Sequence, residues 1–225
     1  MASMEKLLLL LTVTLAAAYY TEDGEYIRRH IIVRNSGKCS IARNMRELID
    51  RHHNYLRQKV AHGEEYLGKK FDEQEMCGLV YDCDLERVAD QEQQKPGTAA
   101  AQKLGVVRFK REYKGSQLSA VQAGLEALVN DNDKLRQMTN PKATRFGCYV
   151  RYGRFPPKNV PEVDVVCVYD KKTRRKDAQK PKGDFCYEHF EEGDEESRKC
   201  SFYKNAKCLW DLCYVLEEGE EPNAP

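Results

Sequence analysis

The chain has 225 residues, 32% of them charged, and its 37 Lys or Arg against 36 Asp or Glu leave a net charge of +1. A hydrophobic fraction of 41% can build a core and excludes wholesale disorder, while near-neutrality argues against a nucleic-acid binder, which carries a basic excess. Nine cysteines are too many for ordinary cytosolic use, and an odd number cannot all pair within one chain.

Residues 1–18 read as a secretory signal peptide. Lys6 precedes an almost wholly apolar run over 7–15, and Ala16, Ala17 and Ala18 supply small residues for cleavage before Tyr19. That run is well short of the ~20 residues that span a bilayer, and no later stretch is long or apolar enough, so no membrane span is expected. A secreted, extracellular product follows. Thiols oxidise there, which makes Cys39, Cys77, Cys83, Cys148, Cys167, Cys186, Cys200, Cys208 and Cys213 disulfide candidates. There is no Asn-x-Ser/Thr acceptor.

Helical spacing begins at 41–62, where Ile41, Met45, Leu48, Ile49, Leu56 and Val60 form one stripe and Ser40 is the expected N-cap. A shorter amphipathic piece carries Leu85, Val88 and Ala89 behind Asp84, and Pro96 and Gly97 break it. A third helix is predicted from Leu118, Val121, Leu125 and Leu128, with Gly124 weakening it. The period then changes. Segments 146–153 and 163–170 are rich in Val, Tyr and Cys and read as an antiparallel strand pair, and 105–109 is a candidate third strand. Helices followed by strands predict an α+β domain with a layered core.

The last fifty residues differ in character. Segment 171–182 holds seven Lys or Arg against one Asp, including Lys171, Lys172, Arg174, Arg175 and Lys176, and an acidic stretch over 184–196 follows at once. Cys186, Cys200, Cys208 and Cys213 then lie within thirty residues containing few apolar side chains, the pattern of a disulfide-stapled module too small for its own core. Residues 217–225 read as an acidic, disordered tail.

The order of these elements resembles the CAP superfamily (SCP/TAPS), in particular the activation-associated secreted and venom-allergen-like proteins of parasitic nematodes. The helix Met45-Arg46-Glu47-Leu48-Ile49-Asp50-Arg51-His52-His53-Asn54-Tyr55-Leu56-Arg57 is similar to the family's opening helix with its His-Asn-x-x-Arg run. Leu79-Val80-Tyr81-Asp82-Cys83-Asp84-Leu85-Glu86 resembles the entry to its second helix. Gln137-Met138-Thr139-Asn140-Pro141-Lys142-Ala143-Thr144-Arg145-Phe146-Gly147-Cys148 resembles a signature ending in Gly-Cys, and Val165-Val166-Cys167-Val168-Tyr169 a second signature. The resemblance implies a three-layer α-β-α sandwich over 19–170, a basic linker over 171–184, a cysteine-rich hinge-like module over 185–216 and the tail over 217–225. Five cysteines then belong to the sandwich and four to the hinge, with the unpaired one expected among the five.

Many family members hold a divalent metal between two histidines and acidic residues. In this chain the signature histidine aligns with Lys134, and no histidine occurs between His62 and His189. Lys103-Leu104-Gly105-Val106-Val107 stands where the family has Gly-Glu-Asn, and the acidic position of the third helix falls on either Glu126 or Ala127. His52 and His53, adjacent on a helix, point about 100° apart and do not converge on one ion; both are expected to be partly exposed. Serines are scattered and no Gly-x-Ser-x-Gly elbow exists. No catalytic residue, metal ligand or cofactor is expected.

Two surface features remain. Lys182-Gly183-Asp184, two residues before Cys186, is similar to the loops by which disintegrins block integrins, and hookworm relatives include inhibitors of platelet and neutrophil integrins. A cation and a carboxylate separated by a flexible glycine let the carboxylate reach an integrin-bound metal. The basic run is either a solvated linker or a glycosaminoglycan-binding segment. The expectation is a non-enzymatic protein that binds a host extracellular protein or receptor to modulate haemostasis or inflammation, with sterol or fatty-acid carriage as the alternative.

Overall fold

The two stretches with strand periodicity form the centre of the molecule. In the computed structural model, which describes residues 31–154, 156, 159–173, 184–187, 199–218 and 220, the chain runs β1 (Val33–Arg34), α1 (Arg43–Ala61), β2 (Glu65–Tyr66), β3 (Lys69–Lys70), β4 (Val80–Asp82), α2 (Cys83–Gln94) and α3 (Thr98–Ala101). It continues through β5 (Gly105–Glu112), α4 (Gln117–Leu128), α5 (Asn132–Met138), β6 (Arg145–Arg154), β7 (Pro161–Tyr169), β8 (Lys207–Leu209) and β9 (Leu212–Tyr214). Residues 1–18, expected to be a signal peptide, lie outside the described residues.

Five strands make one sheet in the order β1-β4-β6-β7-β5. The β1, β4 and β6 neighbours are parallel, while β7 is antiparallel to both β6 and β5. Both faces of β7 are covered, which is why its sequence is apolar almost without alternation. Val163, Val165, Cys167 and Tyr169 enter the main core with residues of α1 and α4, whereas Val166 and Val168 pack with Ala89 and Ala99 of α2 and α3. The result is the expected α-β-α sandwich.

The Gly-Cys end of the signature has a packing reason. A Cβ on Gly147 would overlap backbone atoms of Asp82 and Glu86, so the first turn of α2 rests directly on β6. Cys148 stands opposite Cys167 in the β6–β7 register and the two are disulfide-bonded. Gly124 lets α4 approach β5, since a Cβ there would overlap the Phe109 ring; the residue that weakened the helix prediction is the one that seats the helix.

Ser40 does not cap α1. The N-cap is Ala42, and the Ser40 hydroxyl donates instead to Glu86 at 2.6 Å. Glu86 is 1% exposed and also accepts from the Ile41 amide and the Tyr81 hydroxyl. Supplying a buried carboxylate with charge-assisted hydrogen bonds outweighs a cap worth about 1 kcal/mol. Cys39–Cys83 closes the same junction covalently.

Cys186–Cys208 and Cys200–Cys213 staple the C-terminal module, and Cys77 is the unpaired, buried cysteine. The hairpin β8–β9 turns through Trp210 and Asp211, both at positive φ, and Gln58 of α1 donates to the Trp210 carbonyl at 2.7 Å. Leu212 and Tyr214 belong to the main core rather than to a separate one. Glu75, 1% exposed, accepts hydrogen bonds from the backbone amides of Ser201, Phe202 and Tyr203. Of the expected tail, Glu217 and Glu218 are exposed and Glu220 is buried. Glu217 and Glu220 pair with Arg145 at 3.0 and 3.1 Å, because Arg34 and Arg145 lie at one end of the sheet and need counter-charges.

Arg57 joins these parts. It is fully buried and donates to the carbonyls of Met138, Cys77 and Asn140 at 3.0, 2.7 and 2.8 Å. Burial lowers its affinity for the proton, and the three carbonyls oppose that cost by accepting its hydrogen bonds. Replacing Arg57 by Met strands the buried carbonyls of Met138 and Cys77, while that of Asn140 still accepts from the Ala143 amide, and urea denaturation should show a loss of about 2 kcal/mol or more. A loss below about 1 kcal/mol would mean that the carbonyls are otherwise satisfied.

Candidate functional site

A groove of about 550 Å³ lies between β5 and the α4–α5 corner. Phe109, Lys110, Arg111, Ala127, Asp131 and Lys134 are among its lining residues. Lys134 thus occupies the place that the resemblance assigns to a histidine, and its ammonium pairs with Asp131 at 3.1 Å. Asp131 also caps α5 by accepting from the amides of Asp133 and Lys134, and these bonds hold its carboxyl below the usual range. Lys110 lies 3.5 Å from Asp164, and Arg111 donates to the Ala123 carbonyl. Ala127, not Glu126, lines the groove; Glu126 accepts from Gln122 along the same helix.

His52 and His53 are buried, not partly exposed, at 8% and 0%. The inner stripe of α1 is wider than apolar residues alone suggested, because His53 bridges the helix to the sheet. Its Nδ1 lies 2.7 Å from the Ile49 carbonyl and its Nε2 2.7 Å from the Tyr169 hydroxyl. A carbonyl only accepts, so Nδ1 carries the proton and Nε2 accepts from Tyr169. Burial lowers the pKa of His53 to about 3 and of His52 to about 4. Asp50, buried one turn away, is raised to about 8 by the same cause.

The tripeptide and the basic run are only partly covered. Asp184 is exposed, while Lys182 and Gly183 lie outside the described residues. Phe185 stacks near His62 with ring centroids 4.4 Å apart, and Cys186 is buried in its disulfide. Lys171 and Lys172 are exposed, whereas Arg174, Arg175 and Lys176 lie outside the described residues. Glu75, Glu86 and Arg57 are structural residues that composition and spacing did not single out; their only sequence signal was a charged residue beside an apolar stripe.

No family model and no curated protein sequence matches the chain. An α-β-α sandwich followed by a two-disulfide hairpin, with a groove at the α4–α5 corner, defines a CAP-type protein. Solved structures agree. The chain is similar to manganese-bound Ac-ASP-7, with 39% identity, 83% of this chain and 96% of that chain covered, and a TM-score of 0.69. It is likewise similar to Ancylostoma-secreted protein Ac-ASP-7, with 39% identity, 83% and 97% covered, and a TM-score of 0.68. Na-ASP-1 shares the fold at 20% identity and a TM-score of 0.59, with this chain spanning 49% of its length. The chain belongs to the nematode venom-allergen-like CAP proteins.

The buried histidines make a pH prediction. Between their ordinary pKa of 6.5 and about 4, the unfolded chain binds two protons that the native state refuses, whereas native Asp50 keeps one that the unfolded chain releases. These three groups together lower stability by about 1.4 kcal/mol for each pH unit descended in that window. His53→Gln removes one of the two refused protons, so the three-group contribution should flatten in urea melts between about pH 5.5 and 4.5. An unchanged slope in the variant would show that His53 is protonated in the folded state.

Proposed function

We propose that this chain is a secreted, non-enzymatic CAP protein that engages a host extracellular protein, an integrin or another cell-surface receptor, and thereby modulates haemostasis or inflammation. The observation that carries the reading is the setting of Asp184. It is exposed, and the chain directly after it is anchored by Phe185 against His62 and by Cys186–Cys208. A carboxylate whose downstream backbone is already ordered loses less entropy when a receptor-bound metal takes it up. Membership of a family that includes an Ancylostoma-secreted protein supports the extracellular setting, as does the disulfide usage.

The family groove supports the non-enzymatic part. Hard divalent ions such as manganese, which one relative carries, take carboxylate, carbonyl or imidazole donors. In this groove the one carboxylate, Asp131, is paired with Lys134 among Lys110 and Arg111. The other convergent sets among the described residues, Cys186 with Cys200 and Cys213, and Cys39 with Cys83 and Glu86, consist mainly of disulfide sulfurs, which are not thiolate ligands. The residues do not fit a resident metal. Calorimetric titration with manganese or zinc should give no saturable heat, and stoichiometric binding would overturn that reading. Sterol or fatty-acid carriage draws less support, because the grooves described here are rimmed by charged side chains.

Surface plasmon resonance against integrins and leukocyte receptors tests the proposal. Binding to one receptor, lost by tenfold or more on Asp184→Ala (about 1.4 kcal/mol), is the expected result. Silence across the panel, or an affinity indifferent to Asp184, would overturn the integrin reading.

A further inference from the structure

One cationic surface is not used by the proposed function. Lys103, Lys142, Lys171 and Lys172 reach a single groove of about 560 Å³ from three distant parts of the chain, beside Ala100, Gln102 and Asp170. All four lysines are exposed. Lys103, Lys171 and Lys172 have no acidic partner among the described residues. The one carboxylate in the groove is committed elsewhere. Asp170 accepts from the Thr144 amide and hydroxyl at 3.0 and 2.9 Å and from the Arg145 amide at 3.3 Å.

The geometry separates this surface from a solvated linker. The backbone after β7 is held by two side chains that are themselves buried, Gln137 at 5% and Asn140 at 1% exposure. Gln137 donates to the Lys171 carbonyl at 2.9 Å and accepts from the Thr173 amide at 2.9 Å, and Asn140 donates to the same carbonyl at 3.2 Å. The Thr173 hydroxyl donates to the Arg136 carbonyl. Lys171 and Lys172 therefore leave a fixed platform. Lys103 is aimed by a turn in which it takes positive φ, its amide bonded to the Ala100 carbonyl and that of Leu104 to Ala99. The Asn140 side chain sets the neighbouring loop as well, accepting from the Lys142 amide at 3.1 Å.

We infer that this groove binds a sulfated glycosaminoglycan chain. The cations are lysines, point charges without the planar fork that selects a single phosphate or carboxylate. They line an open groove rather than converge on one point, which suits a linear polyanion carrying repeated sulfates. Since the whole protein carries only +1, attraction for a polyanion must come from local charge rather than from net charge.

The test uses the full chain and a heparin dodecasaccharide in calorimetry near physiological salt. Binding is expected, weakening steeply as salt rises because counterions are released. Lys103→Glu/Lys172→Glu should weaken it by about tenfold or more. Lys204→Glu/Lys207→Glu, an equal charge change on exposed residues of the hairpin module, should change it less than about twofold. Circular dichroism melts of both variants establish that they are folded. Absence of binding, equal losses in the two variants, or no loss in the first would overturn the groove assignment. So would equal affinity for anionic lipid vesicles or for single-stranded DNA, which would reduce the surface to unspecific charge. The inference is independent of the receptor reading: Lys103→Glu/Lys172→Glu leaves Asp184 intact, and Asp184→Ala leaves the groove intact.

Discussion

A buried guanidinium that bonds three carbonyls, with no carboxylate in ion-pair contact among the described residues, is the constraint on which the remainder of this structure depends. Arg57 reaches from the middle of α1 to the carbonyls of Cys77, Met138 and Asn140, so one side chain ties the first helix to the segment before β4 and to the end of α5. An arginine serves here because its donors are held in a rigid planar fork that three fixed acceptors can match, which a lysine's single ammonium cannot do. Leaving the site without counter-charge costs desolvation, and the hydrogen bonds recover it only if all three carbonyls stay in place. The loop after α5 is therefore ordered from within. That order passes on to Asn140 and Gln137, which in turn fix the backbone after β7.

Buried carboxylates repeat this logic at the edges of the fold. Glu86 collects the amide and hydroxyl of Ser40, and Glu75 collects three consecutive amides of the C-terminal module. Each is a charged acceptor that replaces water with backbone donors, the arrangement that makes burial of a carboxylate tolerable. Cys77 sits at the second of these junctions. Its neighbours Met76 and Gly78 exchange backbone hydrogen bonds with Cys213, and burial raises its thiol to about 12, so it behaves as a small apolar residue in the module's core rather than as a reactive thiol.

The family fold is retained, and the groove at its α4–α5 corner is lined mainly by cations among its charged residues. Lys110, Arg111 and Lys134 line it together with one carboxylate, Asp131, which is paired with Lys134. The exposed chemistry lies elsewhere: in the carboxylate of Asp184 beside an anchored disulfide, and in the lysines that gather beyond the end of β7.

Much of the fold was legible in the residues themselves. The stripe Met45, Ile49, Leu56 and Val60 dictated α1, the runs of Val, Tyr and Cys dictated β6 and β7, and the ordered motifs carried the family resemblance. These are local signals, set by periods of 3.6 and 2.0 residues. The short strands β1 and β4, with two and three residues, and the seven-residue helix α5 were not legible, because elements so short are stabilised by neighbours rather than by their own pattern. The same holds for the sites. A histidine on a helix looks alike whether it is wet or dry, and only the Tyr169 hydroxyl 116 residues away makes His53 a buried bridge. By itself the sequence determined that nine cysteines are available for pairing and that helices and strands build a layered α+β fold. Tertiary structure alone decided which cysteine is left unpaired, which charges are buried, and that lysines 103, 142, 171 and 172 share one surface, since long-range approach is settled by packing and hydrogen-bond satisfaction rather than by residue order.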